Sequence, residues 1–304
     1  TVAHNMKKLI PIIFILISNY CFCQLKAVVI DSESKKTIPY VNVWIEDENV
    51  GTTTNQKGEF SIDISKGEFL TLSSLGYENK RVRISTATEK ITLIPKITEL
   101  NEVIVSANKE QEETVVGKFN DSDVGYYYAS FDKPEIKARF FPFDSSYSNT
   151  PYLKTLKFRI YTNIRNAKFN VRLYSIGENG KPNNPIYEKN IIGIIKKGIK
   201  NIEIDLSEFD ISFPEEGLFV SYEWLIIKEN QFKVSIPIKD TNKIEDKIMY
   251  EPKVGFLPSE SDENSWTYNK GKWEKVKAFD TKGNHPEKYI NKFGLLAVEM
   301  TLTN

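Results

Sequence analysis

Within 304 residues, three acidic side chains stand at the spacing Glu203-x-Asp205-x-x-Glu208. Two carboxyls held ~5–5.5 Å apart can cleave a glycosidic bond with retention, one as nucleophile and one as acid/base. His285, in Gly283-Asn284-His285-Pro286, is the one histidine after His4. A single imidazole can serve a hydrolytic triad, but no Gly-x-Ser-x-Gly elbow accompanies it and no His-Glu-x-x-His pair exists for zinc. Asn120-Asp121-Ser122-Asp123 and Glu260-Ser261-Asp262-Glu263 offer carboxylates to a structural Ca²⁺, without the twelve-residue ligand spacing that a calcium loop uses. The remaining candidates are aromatic. Trp266, Tyr268 and Trp273 stand on the two arms of a hairpin that turns at Asn269-Lys270-Gly271, where exposed rings would suit sugar stacking or a protein partner.

The elements that must position these residues are strands. Leu156, Phe158 and Ile160 alternate with Lys157, Arg159 and Tyr161. The same period of two runs through Phe169–Leu173, Ile202–Leu206 and Leu218–Trp224, and no stretch has the 3.6-residue period of an amphipathic helix. On a regular strand Glu203 and Asp205 share one face and Glu208 takes the other, so a converging acid pair requires a bulge. Arg159 and Arg172 fall on the polar sides of their strands, which reads as a solvated face. From about residue 119 to 304 the pattern predicts a large, jelly-roll-like β-sandwich. Residues 24–107 carry shorter runs broken by Gly, Pro and Asn, as a small β-sandwich requires. Between them, 108–118 is polar and reads as a linker.

Two stretches resemble known families. The motif at 203–208 is similar to the catalytic strand of jelly-roll β-glucan hydrolases such as laminarinases. That resemblance implies Glu203 as nucleophile, Glu208 as acid/base and Asp205 as the residue tuning the pair. Lys200-Asn201-Ile202 precedes the motif where that family carries a Trp/Gly lead-in. The other resemblance spans nearly all of 25–107. Its residues are Ile30-Asp31, Thr37-Ile38-Pro39-Tyr40-Val41-Asn42-Val43, Gly51 to Phe60 with Asn55-Gln56-Lys57-Gly58, Leu72-Ser73-Ser74-Leu75-Gly76-Tyr77 and Leu100-Asn101-Glu102-Val103-Ile104-Val105. They resemble the carboxypeptidase-like regulatory domain of exported Bacteroidota proteins. The resemblance implies a seven-stranded, transthyretin-like sandwich without a catalytic role.

Composition narrows the function further. Lys+Arg and Asp+Glu both number 41, which speaks against a nucleic-acid binder. Hydrophobic residues at 40% with 18 Phe and 15 Tyr suffice for packed β cores. Met6-Lys7-Lys8, the apolar run Leu9–Ile17 and Cys23 before Gln24 form a secretory signal over 6–23, too short to span a bilayer. Lipidation at Cys21 is the rival use of that segment. Cleavage after Cys23 leaves a chain without cysteine. The expectation is an exported, non-enzymatic envelope protein, periplasmic, outer-membrane-associated or extracellular, with no cofactor or metal and no transmembrane helix. Its second sandwich would bind a glycan or an envelope partner through Trp266, Tyr268 and Trp273. A glycan hydrolase using Glu203, Asp205 and Glu208 is the alternative.

Overall fold

The computed structural model describes residues 24–64, 67–96, 112–131, 133–237, 244–269, 271–280 and 287–304. The signal segment 6–23, the Leu100–Val105 motif and His285 lie outside the described residues. No α-helix occurs among them, only single 3₁₀ turns, and no helix is long and apolar enough to cross a membrane.

Seven strands make the first unit: β1 (Gln24–Asp31), β2 (Asn42–Ile45), β3 (Gly51–Thr53), β4 (Glu59–Asp63), β5 (Phe69–Ser73), β6 (Lys80–Arg83) and β7 (Lys90–Leu93). They form a three-stranded sheet, β4-β1-β7, packed on a four-stranded one, β3-β2-β5-β6. Ala27, Val29, Phe60, Ile62 and Ile91 from one sheet meet Val43, Ile45, Leu70 and Leu72 from the other. The turn into β4 is held by Asn55, whose Oδ1 accepts from the backbone N–H of Lys57 and Glu59. Gly58 completes it at φ +77°, where a Cβ would stand 2.9 Å from Thr37 and 3.0 Å from the Val29 carbonyl.

The second unit contains β8 (Glu113–Val116), β9 (Tyr126–Ser130), β10 (Ile136–Phe141), β11 (Tyr152–Thr162), β12 (Ala167–Ile176), β13 (Pro182–Pro185), β14 (Ile191–Ile195) and β15 (Gly198–Asp205). It continues with β16 (Leu218–Trp224), β17 (Gln231–Pro237), β18 (Ile244–Ser259), β19 (Ser265–Asn269), β20 (Lys272–Lys275), β21 (Phe293–Leu296) and β22 (Val298–Thr303). One sheet runs β13-β12-β16-β10-β19-β20, with β14 also on β12. The other runs β17-β18-β11-β22-β8, with β15 on β11 and with β9 and β21 on β18. The core lies between them. Leu156, Phe158, Ile160, Val298 and Met300 from one sheet face Phe169, Val171, Leu173, Val220 and Tyr222 from the other. The alternation read in the sequence decides which residues these are.

Two sequence expectations need correction. Part of the segment read as a linker, 108–118, is strand β8, which pairs antiparallel with β22 from Glu113↔Thr303 to Val116↔Met300. Thr114, Val115 and Val116 are β-branched and suit an edge strand, but the run is too short to show a period. Arg172 is not on a solvated face. Its side chain is 7% exposed and that of Glu223 is fully buried, because the first unit docks on the outer side of the β12–β16 sheet. Every residue of β16 is therefore buried, on both faces.

Candidate functional site: a cleft between the two sandwiches

The outer face of the β12–β16–β10–β19–β20 sheet carries ordered cross-strand rows. Strand register aligns Asn170, Glu223, Ile136, Tyr268 and Trp273 in one row. The next row holds Arg172, Ser221, Ala138, Trp266 and Lys275. Tyr174, Phe219 and Phe140 follow. Pleating puts all of these side chains on the same side, away from the inter-sheet core.

The first unit covers part of this face. All four residues of β2 are buried, because Val43 and Ile45 point into their own core while Asn42 and Trp44 point to the second unit. Asn42 Nδ2 donates to Glu223 Oε1 at 2.5 Å. Thr53 Oγ1 donates to Asn42 Oδ1 and accepts from the Ile226 backbone N–H at 3.1 Å. Tyr40 packs with Leu225 and Ile227. Gly51 allows this approach, since a Cβ there would meet Pro134 Cδ at 2.7 Å.

Glu223 is the hub of the junction. Its Oε2 accepts from Arg172 Nε at 2.6 Å and from Asn170 Nδ2 at 2.8 Å, while Oε1 takes Asn42. A buried carboxylate needs this number of donors to remain charged. Burial opposes the charge on Arg172, and the Glu223 carboxylate together with the neighbouring Tyr174 hydroxyl more than offsets it, so the guanidinium is held protonated. Arg172 Nη2, however, has no hydrogen-bond partner.

Where the first unit's edge ends, this face opens into a cleft of about 450 Å³. That lies within the ~300–1,000 Å³ usual for small-molecule sites. Asn42, Ser73–Asn79 and Lys96 form one wall. Arg172, Tyr174, Asn183, Asn184, Tyr268 and Trp273 form the floor and the other wall. Trp273 meets Tyr174 at 5.4 Å and Tyr268 at 5.2 Å, both edge-on. Burial raises the Tyr174 hydroxyl to about 12, with the Arg172 charge working in the opposite direction. Tyr268 is raised as well, by burial first, and also feels the Arg172 and Glu223 charges.

The sequence-predicted residues separate here. Tyr268 and Trp273 line the cleft. Trp266 is buried in a cluster with Ala138, Tyr174 and Phe219, one row away, with Lys275 Nζ 4.5 Å above its ring. Glu203 and Asp205 are exposed on β15, which among the described residues pairs with β11 only, and Glu208 is exposed on the following 3₁₀ turn. None of the three lines the cleft. The backbone N–H of Ser207 donates to Asp205 Oδ1 and lowers the Asp205 pKa. Asp121 is engaged by Arg159 and Asn201, and Glu260 pairs with Lys292. Among the described residues no group of three His, Cys, Asp or Glu side chains converges as a metal site would require.

A second cavity, about 700 Å³, flanks the other side of the junction, with Lys26, Thr52, Glu59, Lys228, Gln231 and Tyr250 among its walls. It is larger, but no buried side-chain donor or acceptor left unpartnered belongs to its lining. Sequence reasoning missed Arg172, Glu223 and Asn42, the residues that shape the cleft. The available signal was a set of hydrogen-bonding types, Asn170, Arg172 and Glu223, at the polar positions of two otherwise strongly apolar strands.

The fold and the cleft define a chain of two docked all-β sandwiches with a polar and aromatic groove between them. Residues 25–105 match the CarboxypepD_reg-like domain, so the first sandwich is a carboxypeptidase-like regulatory domain. No curated protein matches the chain in sequence. Among solved structures it is similar to the cysteine protease and lectin-like domains of Cwp84, a surface-layer-associated protein of Clostridium difficile. That match has 14% identity and a TM-score of 0.35, covering 62% of this chain and 37% of that one. Clostridial Cwp84 after propeptide cleavage matches at 10% identity and TM-score 0.38, covering 88% of this chain and 65% of that one. An infectious bursal disease virus structure (Gx strain) matches at 9% identity and TM-score 0.25, covering 87% and 61%. The chain thus spans less than two thirds of the length of each of these three, and at such TM-scores the likeness carries no functional argument.

Proposed function

We propose that this is an exported, non-enzymatic cell-envelope protein in which the regulatory domain docks on the larger sandwich and completes a glycan-binding cleft. One observation carries the reading. The cleft brings the nine-tenths-buried Arg172 together with Tyr268, Trp273 and the amides of Asn183 and Asn184. A concave, aromatic-walled site with a few converging polar groups is the arrangement in which a small polar ligand is held. Export rests on the signal-like segment 6–23 and places the protein in the periplasm, at the outer membrane or outside the cell. A hydrolytic role for Glu203, Asp205 and Glu208 gains no support from their exposed positions on an edge strand and a turn.

Affinity electrophoresis against a panel of polysaccharides, together with a reducing-end assay, tests the proposal. Retarded migration without release of reducing ends is the expected result. Turnover that disappears in Glu203→Gln would replace the binding function with catalysis, and no retardation by any polysaccharide would remove the glycan reading.

A further inference from the structure

Resting on the glycan reading, we infer that the cleft selects an uncharged sugar and turns away acidic ones, with Arg172 acting as a hydrogen-bond donor to a hydroxyl rather than as an anion clamp. An arginine in a pocket ordinarily suggests a carboxylate or phosphate ligand. Here the charge is already answered. Glu223 holds Arg172 Nε at 2.6 Å and is itself fully buried, so its field is weakly screened. A ligand carboxylate seated on the remaining guanidinium donors would lie beside this anion in a low-dielectric site, and two like charges so placed resist ionising together. The rim adds to the same bias. Lys96 is its other cation, while Glu78 and Glu188 also line the cleft.

A sugar hydroxyl meets none of this opposition. It accepts from Arg172 and can donate in turn to an amide oxygen, whereas a carboxylate only accepts. Asn79, Asn183 and Asn184 bring amides, each with donor and acceptor side by side, to the same cleft. Vicinal hydroxyls present the complementary pair. Tyr268 and Trp273 bring aromatic rings to the same cleft, and ring carbon suits the C–H face of a pyranose. The composition of the walls is therefore that of a neutral polyol site.

Affinity electrophoresis with uncharged polysaccharides (β-glucan, mannan, xylan) and with polygalacturonate and alginate, at low and at about 0.5 M salt, tests this. Retardation by at least one uncharged polymer, unchanged by salt, with none by the uronates, is the expected pattern. Trp273→Ala should weaken that retardation about tenfold with an unchanged circular dichroism spectrum. Arg172→Lys keeps a cation for Glu223 but loses the guanidinium's extra donors, and should weaken it as well. Salt-sensitive retardation by uronates, equal to or stronger than by neutral polymers, overturns the inference and leaves the glycan reading standing. Silence across the whole panel defeats the glycan reading itself, and the inference falls with it. Neutral-polymer binding indifferent to both substitutions moves the site away from this cleft and overturns the inference too.

Discussion

At the scale of single residues the junction turns on one carboxylate. Glu223 is fully buried and takes donors from Asn42, Asn170 and Arg172. Glu223→Gln leaves Arg172 buried without a counter-charge, and breaking a buried pair from one side costs about 3–5 kcal/mol. A urea titration of the full chain should show the midpoint falling accordingly, and a loss under ~1 kcal/mol would mean that the guanidinium finds water or another partner. These residues were the least legible part of the site. Period-two patterning assigns Arg172 and Glu223 to the polar side of their strands, and that much is right. Whether a polar side faces water is decided by what docks on it, and no local pattern reveals that. Tyr268 and Trp273 were legible because a hairpin turn fixes which residues stand opposite one another, here directly paired across β19 and β20.

Secondary-structure elements were read more fully. Alternating apolar residues located β11, β12 and β16, since a one-residue slip would turn the whole apolar set outward. Strand β8 escaped, because its partner β22 lies at the far end of the sequence and only the pairing makes it a strand. Packing between elements leaves little slack. Gly193 on β14 pairs with Phe169 on β12, and a Cβ at Gly193 would stand 2.2 Å from that fully buried ring. Gly193→Ala should therefore destabilise by about 1–3 kcal/mol, seen as a lower urea midpoint with unchanged slope. In the regulatory domain the Tyr77 hydroxyl donates to Asp31 Oδ2 at 2.8 Å, tying the β5–β6 connection to the end of β1. Burial, then the bond and charge of Asp31, raise the Tyr77 hydroxyl to about 12. The native state thus favours the protonated phenol. This contribution is fully present below pH ~10 and is lost as pH rises through about 12. Asp31 is lowered below 3.8, first by the Ser34 backbone N–H, so its contribution is present above 3.8 and is lost only in stronger acid. Thermal melts of Tyr77→Phe and the unaltered chain should differ near neutrality and converge toward pH 12. A constant gap throughout would assign the whole effect of Tyr77 to packing.

At the scale of the molecule the two sandwiches share buried contacts. Asn42, Thr53 and Tyr40 from one unit engage Glu223, Ile226 and Leu225 of the other. Calorimetry of the full chain should accordingly give one cooperative transition. Asn42→Asp sets a second carboxylate against Glu223 and should split it into two, and a single unaltered peak would show that the apolar contacts alone couple the units. The pairing of β8 with β22 has a consequence of another kind. The first and last strands of the larger sandwich run antiparallel side by side, with Glu113 opposite Thr303. Tension applied across that sandwich, by pulling its two chain ends apart, loads the hydrogen bonds between these strands one after another and not all together. The seam opens like a strip of tape, from the Glu113–Thr303 end toward Val116 and Met300.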